Sequence, residues 1–222
     1  MGFKSEADMK EVAKPVLKEA LGERDTKVVP EFSYSAGWTD LVYTYVSDAY
    51  LKRRVEGLDI RIPIEDKDRL KAFLQLHNRG PITKEYYLSL SNNKRSKKQA
   101  LDWLISNGFV EETSDKKIRT APYLRKHITT SFAVELKLSK WKSALKQAHR
   151  GKSFAEYQYV VLDSDHVEPA LSHQSLFEKY NVGLISLSED GSYEKLIQSK
   201  KQTPFSDLNT WTLNETILGQ IS

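Results

Sequence analysis

Asp40, Glu135 and Lys137 have the side-chain types that metal-assisted cleavage of a phosphodiester requires. Carboxylates bind Mg²⁺ or Mn²⁺, and a lysine can orient or deprotonate water or neutralise charge on the phosphorus. Glu135 and Lys137 lie in the alternating segment SFAVELKL (131–138). Residues i and i+2 of a strand project from the same face, about 7 Å apart. A Glu-x-Lys pair alone is more often a solvated ion pair, so its interpretation depends on the elements around it.

Those elements are predicted from hydrophobic periodicity. In chain order, the pattern predicts a helix over 5–21, strands over 27–33 and 39–47, a strand over 131–138, a helix that begins near Trp141, a strand over 157–162, a helix over 171–180 and a strand over 182–187. Pro15 is expected to kink or split the first helix, and Gly22 to end it. The alternation of strands and helices after 131 indicates an α/β sheet. Beyond Ser188 the pattern predicts only a short helix near 193–197.

The middle of the chain has a different pattern. Short helices are expected over 66–77, after Thr83 and from Ser96 onward, and a hairpin follows over 109–120. Ser96 and Gln99 match a capping box at the start of the third helix. Three short helices closed by a hairpin predict a winged helix-turn-helix.

Basic residues gather on this predicted module. They are Lys94, Arg95, Lys97, Lys98, Lys116 and Lys117. The first four lie at the start of the third helix, where a recognition helix meets the major groove, and the last two lie on the hairpin, where a wing contacts the DNA backbone. A run of charge is often only a solvated surface. The DNA-binding interpretation therefore predicts that all six share one exposed face.

The order of elements resembles that of the PD-(D/E)xK nuclease superfamily. The segments that carry the resemblance are GWTDLVYTYV (37–46) and FAVELKLSKWKSALKQAHRGKSFAEYQYVVL (132–162). The resemblance implies a restriction-endonuclease-like core, a mixed β-sheet flanked by helices, in which Asp40 and Glu135 bind Mg²⁺ or Mn²⁺ and Lys137 assists the water. It also implies that Gln147 is the polar residue that many members place on the following helix.

Two features depart from the pattern of that family. Thr39 stands where the family has a proline, and Asp40 and Glu135 lie 95 positions apart, far more than a hairpin needs. An inserted winged helix-turn-helix explains this length, because a small domain is tolerated where two chain ends lie close together. The predicted organisation is a nuclease core in two parts, 1–62 and 126–222, with the inserted module over 63–125.

A further metal-binding carboxylate is expected from the first helix or the first strand. Many members of the family supply one from the first helix, and the helical angle directs Glu6 towards the apolar stripe, more closely than Glu19 or Glu11. Glu31, in the strand beside that of Asp40, is the alternative and ranks close behind Glu6.

Composition restricts the class of protein. Of the 222 residues, 39% are hydrophobic and 29% charged, which is typical of a soluble globular protein. No segment approaches the ~20 apolar residues of a membrane span, and no signal peptide is visible. The absence of cysteine excludes disulfides and zinc fingers and fits a cytoplasmic location. The five histidines form no metal-binding pair, and a net charge of +4 permits a nucleic-acid partner without requiring one.

The leading hypothesis is a Mg²⁺-dependent DNA endonuclease whose winged helix binds DNA. One alternative is a non-catalytic DNA-binding or regulatory protein on a nuclease-like scaffold, and another is an RNA-processing enzyme, since a winged helix can also bind RNA. Cutting both strands of DNA needs two active sites, which a homodimer would provide.

Overall fold

The computed structural model describes residues 2–21 and 26–221, and these form two compact units. The first unit comprises Met1–Val46 and Ile128–Thr210, and the second comprises Ser47–His127 and Trp211–Ser222. Gly22, the expected end of the first helix, lies outside the described residues. No helix in the described ranges is long and apolar enough to cross a membrane.

The helices and strands follow one another in this chain order: α1 (Glu6–Leu21), β1 (Lys27–Tyr34), β2 (Gly37–Val46), α2 (Asp48–Lys52), a π-helical turn (Arg53–Gly57), α3 (Lys67–His77), β3 (Ile82–Thr83), α4 (Lys84–Ser89), α5 (Lys94–Ser106), β4 (Val110–Glu112), β5 (Lys117–Thr120), β6 (Ile128–Lys137), α6 (Trp141–Arg150), β7 (Tyr157–Asp163), α7 (Glu168–Leu171), α8 (Gln174–Tyr180), β8 (Gly183–Leu187), β9 (Tyr193–Ile197) and α9 (Asp207–Ile221). Single 3₁₀ turns follow α6 and β7.

The first unit is an α/β fold. Its described strands form a six-stranded sheet in the order β1-β2-β6-β7-β8-β9. Strands β6, β7 and β8 run parallel, and the other neighbours are antiparallel, so the sheet is mixed. The predicted α/β class, with a mixed sheet flanked by helices, is confirmed.

Helices cover both faces of this sheet. Side chains alternate along a strand, so Tyr159 and Val161 of β7 point to one face, and Val160 and Leu162 point to the other. All four are buried: α1 packs against the first pair, and α6 and α8 pack against the second. The core therefore lies in two layers, and the sheet separates α1 from α6.

Three local predictions differ from the structure. Helix α1 continues through Pro15 without splitting. The carbonyl that loses its partner to a proline lies four residues earlier, on exposed Glu11, where water can satisfy it. The predicted helix near 193–197 is wrong, because this segment pairs with β8 as strand β9. The predicted helix over 171–180 is shorter: α8 covers Gln174–Tyr180, and Leu171 ends the separate helix α7.

The second unit packs helices against a small antiparallel sheet of order β3-β5-β4. Helix α5 starts at Lys94, and Oδ1 of Asn93 accepts a hydrogen bond of 3.0 Å from the amide of Ser96. The predicted capping box at Ser96 and Gln99 is therefore wrong. Asparagine is among the strongest N-cap residues, and here it starts the helix before Ser96.

Helix α9 was not predicted, although it supplies much of the interior of the second unit from Trp211 onward. Trp211 lies with its ring centre 4.9 Å from that of Phe73, and Glu215 forms a bidentate ion pair with Arg54 at 2.6 and 2.7 Å. Polar side chains such as Asn214 are buried on this helix beside apolar ones. A helix buried on several sides has no single apolar stripe, which explains why periodicity missed it. The second unit thus extends beyond the predicted module, 63–125, at both ends.

Candidate functional site

Two neighbouring strands bring Asp40 and Glu135 together. Strands β2 and β6 are antiparallel with Leu41 opposite Val134, so the next step along the ladder sets Asp40 beside Glu135. The backbone amide of Leu136 donates a hydrogen bond of 2.8 Å to Oδ2 of Asp40. This bond fixes the aspartate carboxylate next to Glu135.

Lys137 lies between carboxylates from two parts of the chain. Its Nζ is 3.8 Å from Oε1 of Glu135 and 3.0 Å from Oε2 of Glu6 in α1. Exposure rises outward through the site: the side chain of Glu135 is 3% exposed, that of Lys137 15% and that of Glu6 50%. We call Glu6, Asp40, Glu135 and Lys137 the carboxylate–lysine cluster.

The electrostatics of the cluster centre on Glu135. Burial raises the pKa of Glu135 to about 8, the charge of Asp40 acts in the same direction, and the charge of Lys137 opposes both. Burial lowers the pKa of Lys137, but its hydrogen bond with Glu6 and the charges of Asp40 and Glu135 outweigh burial and raise that pKa overall. Oε2 of Glu135 is buried without a hydrogen-bond partner. A buried carboxylate oxygen in this state is destabilising, and a cation beside it would satisfy it.

The cluster suits a divalent cation. Carboxylate oxygens are preferred ligands of Mg²⁺ and Mn²⁺, and the unpartnered Oε2 of Glu135 offers one. Within the described ranges, no group of three or more His, Cys, Asp or Glu side chains is arranged to hold a metal. Mg²⁺ commonly takes one or two carboxylates and fills its other positions with water and phosphate oxygens. Asp40 and Glu135 therefore fit the ion as a two-carboxylate site with positions left for a substrate.

The two candidates for the further carboxylate lie in different surroundings. Glu6 contacts Lys137, whereas Glu31 is exposed and pairs with Lys10 at 2.8 Å.

The start of α1 is held by Asp163, a buried residue at the end of β7, whose Oδ2 accepts a hydrogen bond of 2.8 Å from the amide of Phe3. Sequence reasoning missed Asp163. An aspartate that ends a buried strand next to the Glu-x-Lys strand was the available signal.

Other side chains near Glu135 differ from those expected. Gln147 is half-buried on α6 and accepts a hydrogen bond of 3.4 Å from Ser143, but no hydrogen bond joins it to the described cluster. Tyr34 of β1 lies within electrostatic range of Glu135. Burial raises the pKa of Tyr34, and the charge of Glu135 raises it as well, while a hydrogen bond with Thr39 and the charge of Arg150 lower it. Tyr34 thus borders the cluster, and no sequence pattern pointed to it.

The predicted basic face is not shared by all six residues. Lys97 is only 7% exposed; its Nζ donates a hydrogen bond of 2.6 Å to Gln75 and lies 4.2 Å from the ring centre of Tyr87. The prediction that Lys97 is exposed is therefore wrong, because an amide and an aromatic face satisfy its ammonium inside the unit.

The remaining five basic residues differ in their partners. Lys98 pairs with Asp102 and Lys117 pairs with Asp115, each at 2.8 Å. Lys94, Arg95 and Lys116 are exposed, and none of these three forms an ion pair within the described ranges. Of the six predicted basic residues, these three are therefore the exposed ones that no described carboxylate neutralises.

Comparison with family models, with curated proteins and with solved structures found no match to this chain.

Proposed function

We propose that the protein is a divalent-metal-dependent DNA endonuclease that hydrolyses phosphodiester bonds at the carboxylate–lysine cluster. The observation that carries the proposal is the unpartnered, buried Oε2 of Glu135, which lies beside the carboxylate of Asp40 and the ammonium of Lys137. Such an arrangement is costly without a cation and is useful for binding one.

In this proposal the first unit is a restriction-endonuclease-like core. Support comes from the positions of the charged residues: Asp40 near the start of β2, Glu135 and Lys137 at the end of the adjacent β6, and Glu6 in the first turn of α1. The second unit is a winged helix-turn-helix that binds DNA. Support for this comes from the succession of α3, α4 and α5 followed by strands β4 and β5, with exposed basic side chains near the start of α5.

Each residue of the cluster has a role in the proposed reaction. A Mg²⁺ or Mn²⁺ ion, when bound, polarises the phosphate and promotes ionisation of a water molecule. Asp40 and Glu135 hold the ion, and Lys137 orients the attacking water and stabilises the negative charge that grows on the phosphate oxygens. Glu6 is the outer carboxylate, which keeps the ammonium of Lys137 in position through their 3.0 Å contact.

The test is a cleavage assay on supercoiled plasmid, single-stranded DNA and branched DNA with Mg²⁺, Mn²⁺ or EDTA. We expect nicks with metal and none with EDTA. Asp40→Asn, Glu135→Gln and Lys137→Met should each lower the rate by about 100-fold or more, as loss of a transition-state contact does elsewhere. Glu31→Gln is the matched control, because Glu31 pairs with Lys10 outside the cluster. Cleavage that survives in Glu135→Gln would refute the proposal. DNA binding without cleavage would favour a non-catalytic scaffold.

A further inference from the structure

Two arginine–tyrosine pairs line one cleft in the second unit. Tyr50, Arg53, Tyr123 and Arg125 surround about 480 Å³ of space. Cζ of Arg53 lies 5.1 Å from the ring centre of Tyr123, and Cζ of Arg125 lies 5.0 Å from that of Tyr50. Each pair links α2 or the π-helical turn after it to the segment that follows β5. We call these four residues the arginine–tyrosine cleft.

Both arginines are available to an anion. Arg53 and Arg125 are exposed, and neither forms an ion pair with any carboxylate in the described ranges. Arg54, the next residue, is buried against Glu215 instead. The two neighbours share a π-helical turn, a rare conformation that is frequent at functional sites. One arginine thus stabilises the interior, and the other presents an unneutralised charge to solvent.

Both tyrosine rings are also exposed. Tyr50 is 36% exposed and Tyr123 is 70% exposed. Of the four cleft residues, only Tyr123 has a positive φ. Its value of 64° lies in the left-handed region that bulky residues rarely adopt. Core packing does not account for a large aromatic side chain kept in solvent on such a backbone, and conformations of this kind cluster at binding sites.

We propose that the arginine–tyrosine cleft binds unpaired nucleotides of DNA. Bases stack on tyrosine rings and on guanidinium planes, and arginine forks bind phosphate oxygens. Alternating aromatic and cationic side chains around one cleft match a chain in which planar bases alternate with anionic phosphates. The inference rests on the proposed function for its choice of DNA as partner. It adds that the substrate contains a single-stranded segment.

The test measures fluorescence anisotropy in EDTA, so that cleavage does not contribute. The probes are oligo(dT), an abasic strand of the same length and a blunt duplex. We expect the parent to prefer oligo(dT) over the abasic strand. The double variant Tyr50→Leu with Tyr123→Leu should weaken oligo(dT) binding by about tenfold or more and abolish that preference, because base stacking is lost. Arg53→Gln with Arg125→Gln should flatten the salt dependence by about 0.7 for each lost phosphate contact.

Two controls match these variants. Tyr193→Leu alters an exposed tyrosine on β9, and Arg61→Gln alters an exposed arginine that pairs with Asp59. Both should bind oligo(dT) as the parent does. Circular dichroism melts check that every variant is folded.

Several outcomes would overturn the inference. One is a parent that binds the abasic strand as tightly as oligo(dT), and another is a tyrosine double variant that keeps the preference. A clear preference for oligo(U) would assign the cleft to RNA. A parent that binds no oligonucleotide but self-associates, and whose tyrosine variants are monomeric, would make the cleft a protein contact. If the parent cleaves plasmid with metal while these differences fail, the inference falls and the proposed function stands. If oligo(dT) binding behaves as expected but no DNA is cleaved, the cleft inference stands and the proposed nuclease activity falls.

Discussion

Nζ of Lys137 lies 3.0 Å from Oε2 of Glu6, although 131 positions separate the two residues in the chain. The contact joins the end of β6 to the first turn of α1. Asp163 supports it by holding the amide of Phe3, just before that helix. The carboxylate–lysine cluster is therefore a property of the folded first unit, and its members can be tested one at a time.

Glu135→Gln should abolish stabilisation of the protein by metal. In the parent, Mg²⁺ or Mn²⁺ at about 100 times its Kd should add ~2.7 kcal/mol to the free energy of unfolding. The variant replaces a buried carboxyl that is costly to ionise without metal, so its Tm without metal should equal or exceed that of the parent, while the rise on adding metal should disappear. Differential scanning calorimetry with and without metal measures both. A variant with the parent's full metal-induced rise would contradict the assignment of Glu135 as a ligand.

Glu6→Gln should reduce the same metal-induced rise in Tm without removing it. The variant loses the charge that contacts Lys137, but Asp40 and Glu135 remain in place on their strands. DNA affinity in EDTA should stay unchanged. Glu11→Gln is the matched control on the same helix, since Glu11 pairs with Lys14 on the exposed side. If Glu31→Gln reduced the rise and Glu6→Gln did not, the further carboxylate would be Glu31.

Lys97 and its exposed neighbours should behave differently when replaced. Lys97→Ala removes a buried contact with Gln75 and Tyr87, so it should lower the free energy of unfolding by about 1–3 kcal/mol. Its slope of log affinity for duplex DNA against log salt should not change. Lys94→Ala with Arg95→Ala should leave stability within about 0.5 kcal/mol and lower that slope by about 0.9 for each lost phosphate contact. An unchanged slope in this double variant would show that the start of α5 is only a solvated surface.

Glu215→Ala should strongly destabilise the second unit. The change leaves the guanidinium of Arg54 buried without its carboxylate and removes the acceptor for the amide of Ile64 at 2.8 Å. Loss of one partner from a buried ion pair costs about 3–5 kcal/mol. Asp102→Ala is the control, because it breaks an exposed pair with Lys98 that is worth at most about 1 kcal/mol. Urea unfolding followed by tryptophan fluorescence measures both, and similar losses in the two variants would contradict the prediction.

His127 should make the second unit less stable in mild acid. Burial and, to a smaller extent, the charge of Arg54 lower the pKa of His127 to about 4, although Glu215 and a backbone hydrogen bond with Asn214 oppose the shift. The unfolded chain, with a histidine pKa near 6.5, therefore binds more protons than the folded protein between these values. Stability should be complete above about pH 6.5 and fall by about 3 kcal/mol as the pH drops to about 4.

Replacement of this histidine isolates its contribution. Urea unfolding at a series of pH values should show a shallower loss of stability in His127→Gln than in the parent, because Gln does not titrate. An identical pH dependence in the two proteins would assign the acid sensitivity to other groups.

Much of the first unit follows from local sequence. Apolar residues at helical spacing place α1 and α6, and strict alternation places β6, because each periodicity records which face of an element is buried. Side-chain chemistry and the resemblance to the PD-(D/E)xK superfamily singled out Asp40 and the Glu135–Lys137 pair as candidates. Strand periodicity also placed both in strands.

The remaining features depend on contacts between distant segments. Residues 193–197 form a strand because they pair with the edge of β8. Helix α9 was not predicted, because it is buried on more than one side and so has no single apolar stripe. Lys97 is buried because Gln75 and Tyr87 face it, a circumstance that no local charge pattern records. The choice between Glu6 and Glu31 was likewise open in the sequence, since both are acids near the sheet. The packing of α1 directed Glu6 to Lys137 and left Glu31 with Lys10, because the reach of a charged side chain is decided by which elements lie against it.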